Sequence, residues 1–312
     1  MITQKNVGLV LGSGSSRGWA HIGVLEALAE RQIPIDFIVG CSVGSYVAAL
    51  YACGSLERLK QFVLKMDGKK VFSYFDIVLP RSGLLDGTKR LRELFCMHTH
   101  IRDFSELKTP VLMVATDLET GSKVILKSGK ILDALRASMS IPGIFAPARC
   151  NHRWLVDGGV VDPVPVSVAR AMAADIVIAV DLNSALVSRN KNWYRTKPAS
   201  ERKPEPEVRG SEMIRKLAEY YTISGQGFRA RINELLKKES ARPDIIETVT
   251  TAIHIMQDRI TRINLAVTPP DILIQPRLGG LKMLDFDQVA HTIEEGHIAA
   301  TEKIADIETL LQ

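Results

Sequence analysis

A serine stands at the centre of residues 40–44, GCSVG, between an apolar run and a helical pattern. The run before it, residues 35–39, is typical of a strand buried on both faces of a parallel sheet, and the apolar residues after it recur at helical spacing. A serine held in a sharp strand-to-helix turn needs neighbours without a Cβ atom, which Gly40 and Gly44 provide. The stretch therefore predicts a nucleophile elbow, with Ser42 at a helix N-terminus whose partial positive charge favours an alkoxide.

The composition favours a globular protein with a full-sized core. The 312 residues are 46% hydrophobic and 24% charged, which predicts one large domain, with or without an appendage. The net charge of +5 is modest, and basic and acidic residues are mixed over most of the chain. We therefore expect no nucleic-acid partner, whereas contact with an anionic membrane surface is compatible with this charge.

Cysteine spacing and the N-terminal sequence indicate the cellular compartment of the protein. The four cysteines form no C-x-x-C pair and show no metal-ligand spacing, so we expect free thiols in a reducing compartment. The first residues lack the basic start and continuous apolar core of a secretory signal. We therefore expect a cytoplasmic protein. Because no apolar run approaches the roughly 20 residues that span a bilayer, we expect any membrane contact to be peripheral, at the inner face.

A glycine-rich loop follows the first predicted strand, Val7–Leu11, and precedes a helix. Strand, glycine loop and helix together favour an anion site. The third glycine comes one residue late for a dinucleotide fingerprint, which argues against a nucleotide-binding oxidoreductase. The better interpretation is an oxyanion hole around Gly14 and Ser15, although a tight turn without a ligand stays open. The loop residues assigned to this motif are Gly12, Gly14, Ser15, Ser16, Arg17 and Gly18.

A candidate acidic residue comes at the end of another predicted strand, residues 154–156. Asp157 follows it directly and precedes Gly158 and Gly159, two residues that permit unusual dihedral angles. Taken alone, Asp-Gly-Gly indicates a plain turn. It places a carboxylate at a strand end, where a general base for Ser42 is needed.

Alternating strands and helices predict an α/β protein with a mainly parallel sheet covered on both faces. We expect a catalytic core at 1–183, a mobile polar loop or linker at 184–210, and a helical part at 211–312 whose final strand and helix pack back on the core. The apolar segment 71–80 is either core or a flap over a lipid-accepting cleft. Predicted strands are Val7–Leu11, 35–39, 111–115, Lys123–Leu126, 154–156, 175–182 and 272–275. One predicted helix begins near residue 19, and the others cover 43–51, 56–66, 88–95, 133–138, 213–238, 244–265 and 287–311.

No histidine stands where a catalytic triad would need one. The α/β-hydrolase order is serine, acid, histidine, yet the histidines after Asp157 all fall inside amphipathic helices, and none of the earlier ones has a pattern that orients it. A Ser42–Asp157 dyad is therefore the more economical interpretation. The candidates set aside are His21, His152, His254, His291 and His297.

The combination of GSGSSRG, GCSVG and DGG, with SIPGIFAP between the last two, resembles the patatin-like phospholipase family. It is most similar to the bacterial cytosolic branch related to the catalytic domain of neuropathy target esterase. The resemblance implies a three-layer α/β/α fold and hydrolysis of phospholipid or lysophospholipid esters without metal or cofactor. It also implies Ser42 as nucleophile, Asp157 as base and the loop 12–18 as oxyanion hole, with Arg17 at its usual place.

One departure from the family pattern lies in the loop. Ser13 and Ser15 stand where many members have glycine, which keeps the backbone donors but leaves open which N–H groups form the hole. The main alternative to an esterase is a regulatory or lipid-binding protein on the same fold with little turnover. Head-group preference, acyl length and oligomeric state have no signal in the sequence.

Overall fold

The computed structural model describes residues 5–65, 87–184, 245–279, 281 and 288–312. The apolar segment 71–80, the predicted helix 213–238 and all but the first residue of the predicted linker 184–210 lie outside the described residues. Within the described part, no helix is long and apolar enough to cross a membrane.

The centre of the fold is a mixed, mainly parallel sheet. Its parallel part has the order β8-β7-β1-β2-β3, whereas β4 and β6 run antiparallel to β3, and β5 antiparallel to β6. Every residue of the three central strands β7, β1 and β2 is buried, which is why their sequences are continuously apolar. The described strands are β1 Val7–Leu11, β2 Phe37–Cys41, β3 Val111–Asp117, β4 Lys123–Leu126, β5 Ala148–Cys150, β6 Arg153–Asp157, β7 Ile176–Val180 and β8 Ile272–Ile274.

Helices cover both faces of this sheet, so the expected three-layer α/β/α arrangement is confirmed. Successive strand residues such as Leu9 and Val10 belong to two separate hydrophobic clusters, because side chains of a strand alternate between its faces. Helices α6 and α7 lie on the Val10 side and the other helices on the Leu9 side. The described α-helices are α1 Ala20–Glu30, α2 Val43–Ala52, α3 Leu56–Leu64, α4 Thr88–His98, α5 Ile131–Ser138, α6 Val166–Ala171, α7 Ile245–Val267, α8 Val289–Thr301 and α9 Ile304–Leu311.

Three local predictions differ from the structure. Strand β5 and helix α6 were not predicted, because elements of three and six residues are too short to show a period. The closing helix predicted at 287–311 is two helices, α8 and α9. At the break, Thr301 Oγ1 donates to the carbonyl of His297, 2.9 Å away, a side-chain bond that competes with continued helix.

The last described elements pack on the same sheet as the first. Strand β8 pairs with β7, and α8 crosses α1 in close contact. At this crossing a Cβ atom on Gly296 would lie 2.0 Å from the carbonyl oxygen of Ala20, so only glycine lets the two helices approach so closely. Because α1 continues directly from the glycine loop, α8 supports the helix that follows that loop.

Candidate active site

Two strands, β2 and β6, meet end to end beside β3 in the sheet. Residues 113 and 114 of β3 pair with β2 and with β4, and residues 115 and 116 pair with β6 and with β4. Since a strand has only two edges, β2 and β6 lie on the same side of β3. One is parallel and the other antiparallel to β3, so their carboxyl ends face each other. The residues at these ends, Ser42 and Asp157, are thereby brought together.

The turn after β2 has the geometry of an elbow. Ser42 has a φ of 55° and a ψ of −123°, a strained conformation for a residue with a Cβ atom, and it is 4% exposed. Its carbonyl accepts from Ser45 N at 2.9 Å, and its own N–H donates to Ser138 Oγ at 3.0 Å. A Cβ on Gly44 would lie 2.1 Å from the carbonyl oxygen of Leu11, so α2 can start here only because residue 44 is glycine.

The hydroxyl of Ser42 donates a hydrogen bond to Asp157 Oδ2 at 2.6 Å. Asp157 Oδ1 accepts from the N–H of Gly159 at 2.7 Å, and the backbone of Asp157 is held by Ser140 and Thr116, each at 2.9 Å. Both carboxylate oxygens therefore have fixed partners. The arrangement suits transfer of the Ser42 proton to Oδ2.

Burial controls the acidity of this carboxyl. Asp157 is 2% exposed, and burial raises its pKa from the ordinary 3.8 to about 6, although the hydrogen bonds from Ser42 and Gly159 lower it. A base with this pKa is mostly ionised at neutral pH and accepts a proton more readily than an ordinary aspartate.

The glycines of Asp-Gly-Gly have a different role from the one predicted. Neither Gly158 nor Gly159 has a positive φ, so unusual dihedral angles are not what the motif requires. A Cβ on Gly158 would lie 2.3 Å from the carbonyl oxygen of Val114, and one on Gly159 would lie 2.4 Å from Gln257 Nε2. The two glycines instead allow close packing against β3 and α7.

The glycine-rich loop is fixed at its start and packs on the elbow at its end. The N–H groups of Gly12 and Ser13 donate to Val180 O at 3.1 Å and Pro163 O at 2.8 Å, so these two are structural. Residues Ser15–Trp19 form a short 3-10 helix, in which a Cβ on Gly18 would lie 2.1 Å from the side chain of Val43. The loop therefore contacts the residue that follows Ser42.

Arg17 holds the middle of the loop. Its backbone N–H and its Nε both donate to the carbonyl of Gly14, each at 3.1 Å. Because a trans peptide points its C=O and N–H in opposite directions, this fixes the orientation of the following amide, that of Ser15. Arg17 is fully buried; burial lowers its pKa to about 10, opposed by the charge of Asp181, so it stays protonated at neutral pH.

The amide of Gly14 is a different case from those of Gly12 and Ser13. Its N–H forms no hydrogen bond with any described residue. The first amide of α2, that of Val43, belongs to the helix start, where N–H groups have no intrahelical acceptor. These two N–H groups lie on the loop and the elbow that pack together. Ser16, the remaining residue assigned to the loop motif, is buried in the 3-10 helix.

None of the five histidines considered as a base forms a hydrogen bond with Ser42 or Asp157. His21 Nε2 bonds to Gly12 O at 2.8 Å, and burial lowers its pKa to about 4. His254 Nε2 bonds to Arg17 at 3.0 Å, and burial together with the Arg17 charge lowers its pKa to about 3. His297 bonds to Glu30, and the other two, His152 and His291, are exposed.

Helix α7 brings residues to the site that the sequence did not reveal. Its buried side is polar: Gln257 lies against Gly159, His254 against Arg17, and Asn264 donates to Asp162 at 3.0 Å. His254 was considered only as a base, and Gln257 belongs to no motif. A run of polar residues at helical spacing is ordinarily interpreted as an exposed face, so the only available signal pointed the wrong way.

Comparisons with known proteins agree with the geometry. The family model described as patatin-like phospholipase matches residues 9–170. An uncharacterized NTE family protein of Mycobacterium tuberculosis is 28% identical over 98% of this chain and 93% of its own length. Patatin-like phospholipase domain-containing protein 6 of Homo sapiens is 32% identical over 59% of this chain and 14% of its own. Lysophospholipase NTE1 of Mycosarcoma maydis is 37% identical over 57% of this chain and 10% of its own.

Proposed function

Because the chain belongs to the patatin-like phospholipase family, we propose that it cleaves phospholipid or lysophospholipid esters with a Ser42–Asp157 dyad and a glycine-loop oxyanion hole. Family membership makes the protein a carboxylic ester hydrolase that acts on lipid esters. The single observation that carries the dyad is the 2.6 Å hydrogen bond from Ser42 Oγ to Asp157 Oδ2.

The proposed reaction has two halves. Asp157 takes the proton of Ser42 while Oγ attacks the ester carbonyl, and the tetrahedral intermediate then expels the alcohol oxygen, which receives the proton from Asp157. Water enters next, gives a proton to Asp157 and attacks the acyl group on Ser42. The bond to Oγ breaks, Ser42 regains its proton, and the fatty acid leaves.

For the oxyanion hole we propose the N–H groups of Gly14 and Val43. The Gly14 amide, which is unpaired among the described residues, supports the first, and the position of Val43 directly after the nucleophile supports the second. Arg17 would then be a positioning residue for the loop as a whole, because its two hydrogen bonds to the Gly14 carbonyl fix the peptide that follows Gly14. Loss of one oxyanion donor commonly costs about a hundredfold in rate.

The proposal includes a peripheral contact with a lipid surface. It is supported by the net charge of +5 and by apolar side chains on the outer side of α7, of which Met256 is 54%, Ile263 63% and Val267 79% exposed. Cosedimentation with anionic liposomes that Met256→Ser and Ile263→Ser leave unchanged would contradict this contact.

The dyad is tested by Ser42→Ala and Asp157→Asn, assayed on phospholipids, lysophospholipids and nitrophenyl esters. Each variant should lose nearly all hydrolysis and the double variant should be no worse, because the two residues act as a unit. A matched control is Asp162→Asn, which alters an equally buried carboxylate that is paired with Lys123 at 2.7 Å.

Two outcomes would contradict the dyad. Folded Ser42→Ala with more than about a tenth of wild-type activity would exclude Ser42 as nucleophile, and a histidine variant as inactive as Ser42→Ala would require a triad. A serine-directed probe that fails to label Ser42 in the wild-type protein would favour a lipid-binding protein without turnover.

A further inference from the structure

Gln257 brings a side-chain amide from α7 to the base. A Cβ atom on Gly159 would lie 2.4 Å from Gln257 Nε2 and 3.0 Å from Asp157 Oδ1, so the amide and the carboxylate flank the same point. Gln257 is 8% exposed. The position therefore lies within the proposed active site and is nearly closed to solvent.

This amide is unpaired within the part of the chain that the structure describes. Gln257 forms no hydrogen bond with any residue there, and it does not bond the carboxylate beside it. The amide is not among the fully buried polar atoms without a partner, so it keeps some accessible surface that an incoming oxygen can reach. An unpaired polar group beside the catalytic pair is what a site for an incoming oxygen requires.

Two oxygens must come next to Asp157 during the proposed reaction. The leaving alcohol oxygen receives a proton from Asp157 in the first half, and the attacking water gives one to it in the second. The second half is the first in reverse with water in place of the alcohol, so both oxygens occupy one position. An amide can donate to such an oxygen while the oxygen's own proton faces the carboxylate.

We propose that Gln257 holds this oxygen, the leaving alcohol during acylation of Ser42 and the hydrolytic water during deacylation. The inference rests on the proposed function. Gln257 exchanges no proton and forms no covalent bond; it orients the oxygen while Asp157 and Ser42 exchange the proton.

The test compares two esters with the same acyl chain, using the full chain. A nitrophenyl ester releases a stable phenolate that needs no proton, whereas the glycerol oxygen of a lysophospholipid does. The variant is Gln257→Met, which keeps the size of the side chain and removes its hydrogen bonds. For the lysophospholipid, kcat/KM should fall at least about tenfold, the loss of one well-placed hydrogen bond.

For the nitrophenyl ester the expected result is different. Its kcat/KM reports acylation and should fall less than about threefold, while kcat falls with the slowed deacylation. Rapid mixing should therefore show a burst of nitrophenol approaching one per active site, followed by slow turnover. Thr261→Val, an isosteric change one turn further along α7 at a residue 3% exposed, should alter neither ester, which controls for disturbance of the helix.

Equal losses of kcat/KM on both esters without a burst would show that Gln257 only supports the fold, and unchanged kinetics would show that it touches no reacting oxygen; either result overturns the inference. If Gln257→Met does not fold, Gln257→Asn, which retracts the amide, must give the same difference between the esters. A wild-type protein that cleaves neither ester would instead overturn the proposed function, so the two failures are distinguishable.

Discussion

The candidate active site, around Ser42 and Asp157, joins two regions that are built in different ways. The motif region, residues 12–18, 40–44 and 157–159, is held by close packing at glycines, and the nearest atoms are backbone at Gly12, Gly40, Gly44 and Gly158. Helix α7 contributes the second region, and there the contacts are made by polar side chains such as His254 and Gln257. The comparison teaches that the motif region has almost no freedom to adjust, whereas the contacts of α7 can be removed one at a time.

The largest effect is expected in the motif region, from Gly44→Ala. The added methyl group would lie 2.1 Å from Leu11 O and 2.7 Å from Gly12 O, and neither backbone atom can move without displacing β1 from the sheet. We expect a loss of more than about 4 kcal/mol in the free energy of unfolding, or no folded protein. Chemical denaturation measures it.

A matched control for Gly44→Ala separates packing from dihedral preference. Gly121 has a φ of 67°, and a methyl group added to it would have no described atom within 4 Å, so Gly121→Ala should cost only about 1 kcal/mol. If the two substitutions had similar effects, close approach would not be what fixes the motif region.

The second effect concerns the charge that the motif region buries. With the pKa of Asp157 raised from 3.8 to about 6, the folded protein holds this proton more tightly than the unfolded chain between these pH values. The contribution of Asp157 to the free energy of unfolding therefore falls by about 3 kcal/mol as pH rises from about 4 to about 6. Above that range it stays low. Over the same range kcat/KM should rise, because the ionised carboxylate is the base in the proposed dyad.

Asp157→Asn checks both parts of this prediction. The amide can still accept from Gly159 and can donate to Ser42, so the buried charge is removed without leaving an unpaired group. The variant should be inactive, more stable than wild type at pH 8, and without the fall in stability between pH 4 and 6. Denaturation series at several pH values measure it; an inactive variant that is also less stable at pH 8 would contradict the buried-charge account.

A smaller and graded effect is expected from α7. His254→Leu removes the acceptor of one Arg17 nitrogen, while another, Arg17 Nη1, already has no partner among the described residues. We expect a loss of about 2 kcal/mol in stability and a fall in kcat with little change in KM, because Arg17 positions the loop through Gly14. His254→Gln keeps an acceptor and should stay within about tenfold of wild type. Equal losses in the two variants would mean that the contact acts through shape alone.

The same contrast explains which parts of the candidate site could be predicted from the sequence. Ser42 and Asp157 could be proposed from the sequence because their signals are local: a strand, a turn residue and small neighbours within five positions. The roles of Gly158 and Gly159 were misjudged because the atoms that require them belong to Val114 and Gln257, which are remote in sequence. No sequence pattern marks Gln257 as a site residue, because its place in the site depends on where α7 crosses the sheet.

The smallest effect tests the one residue of the glycine loop that backbone conformation, rather than packing, restricts. Ser15 has a φ of 51°, in the left-handed region that favours glycine. Ser15→Gly should relieve about 1 kcal/mol of strain, partly offset by the greater freedom of glycine in the unfolded chain, so a gain of a few tenths of a kcal/mol is expected. Because a glycine keeps the backbone N–H and the loop stays anchored by Arg17 on Gly14, kcat/KM should change less than about threefold. Thermal denaturation and kinetics of the variant measure both quantities. A large loss of activity with unchanged stability would show that the hydroxyl of Ser15 acts in the reaction, and the motif region would then depend on a side chain in the way that the α7 region does.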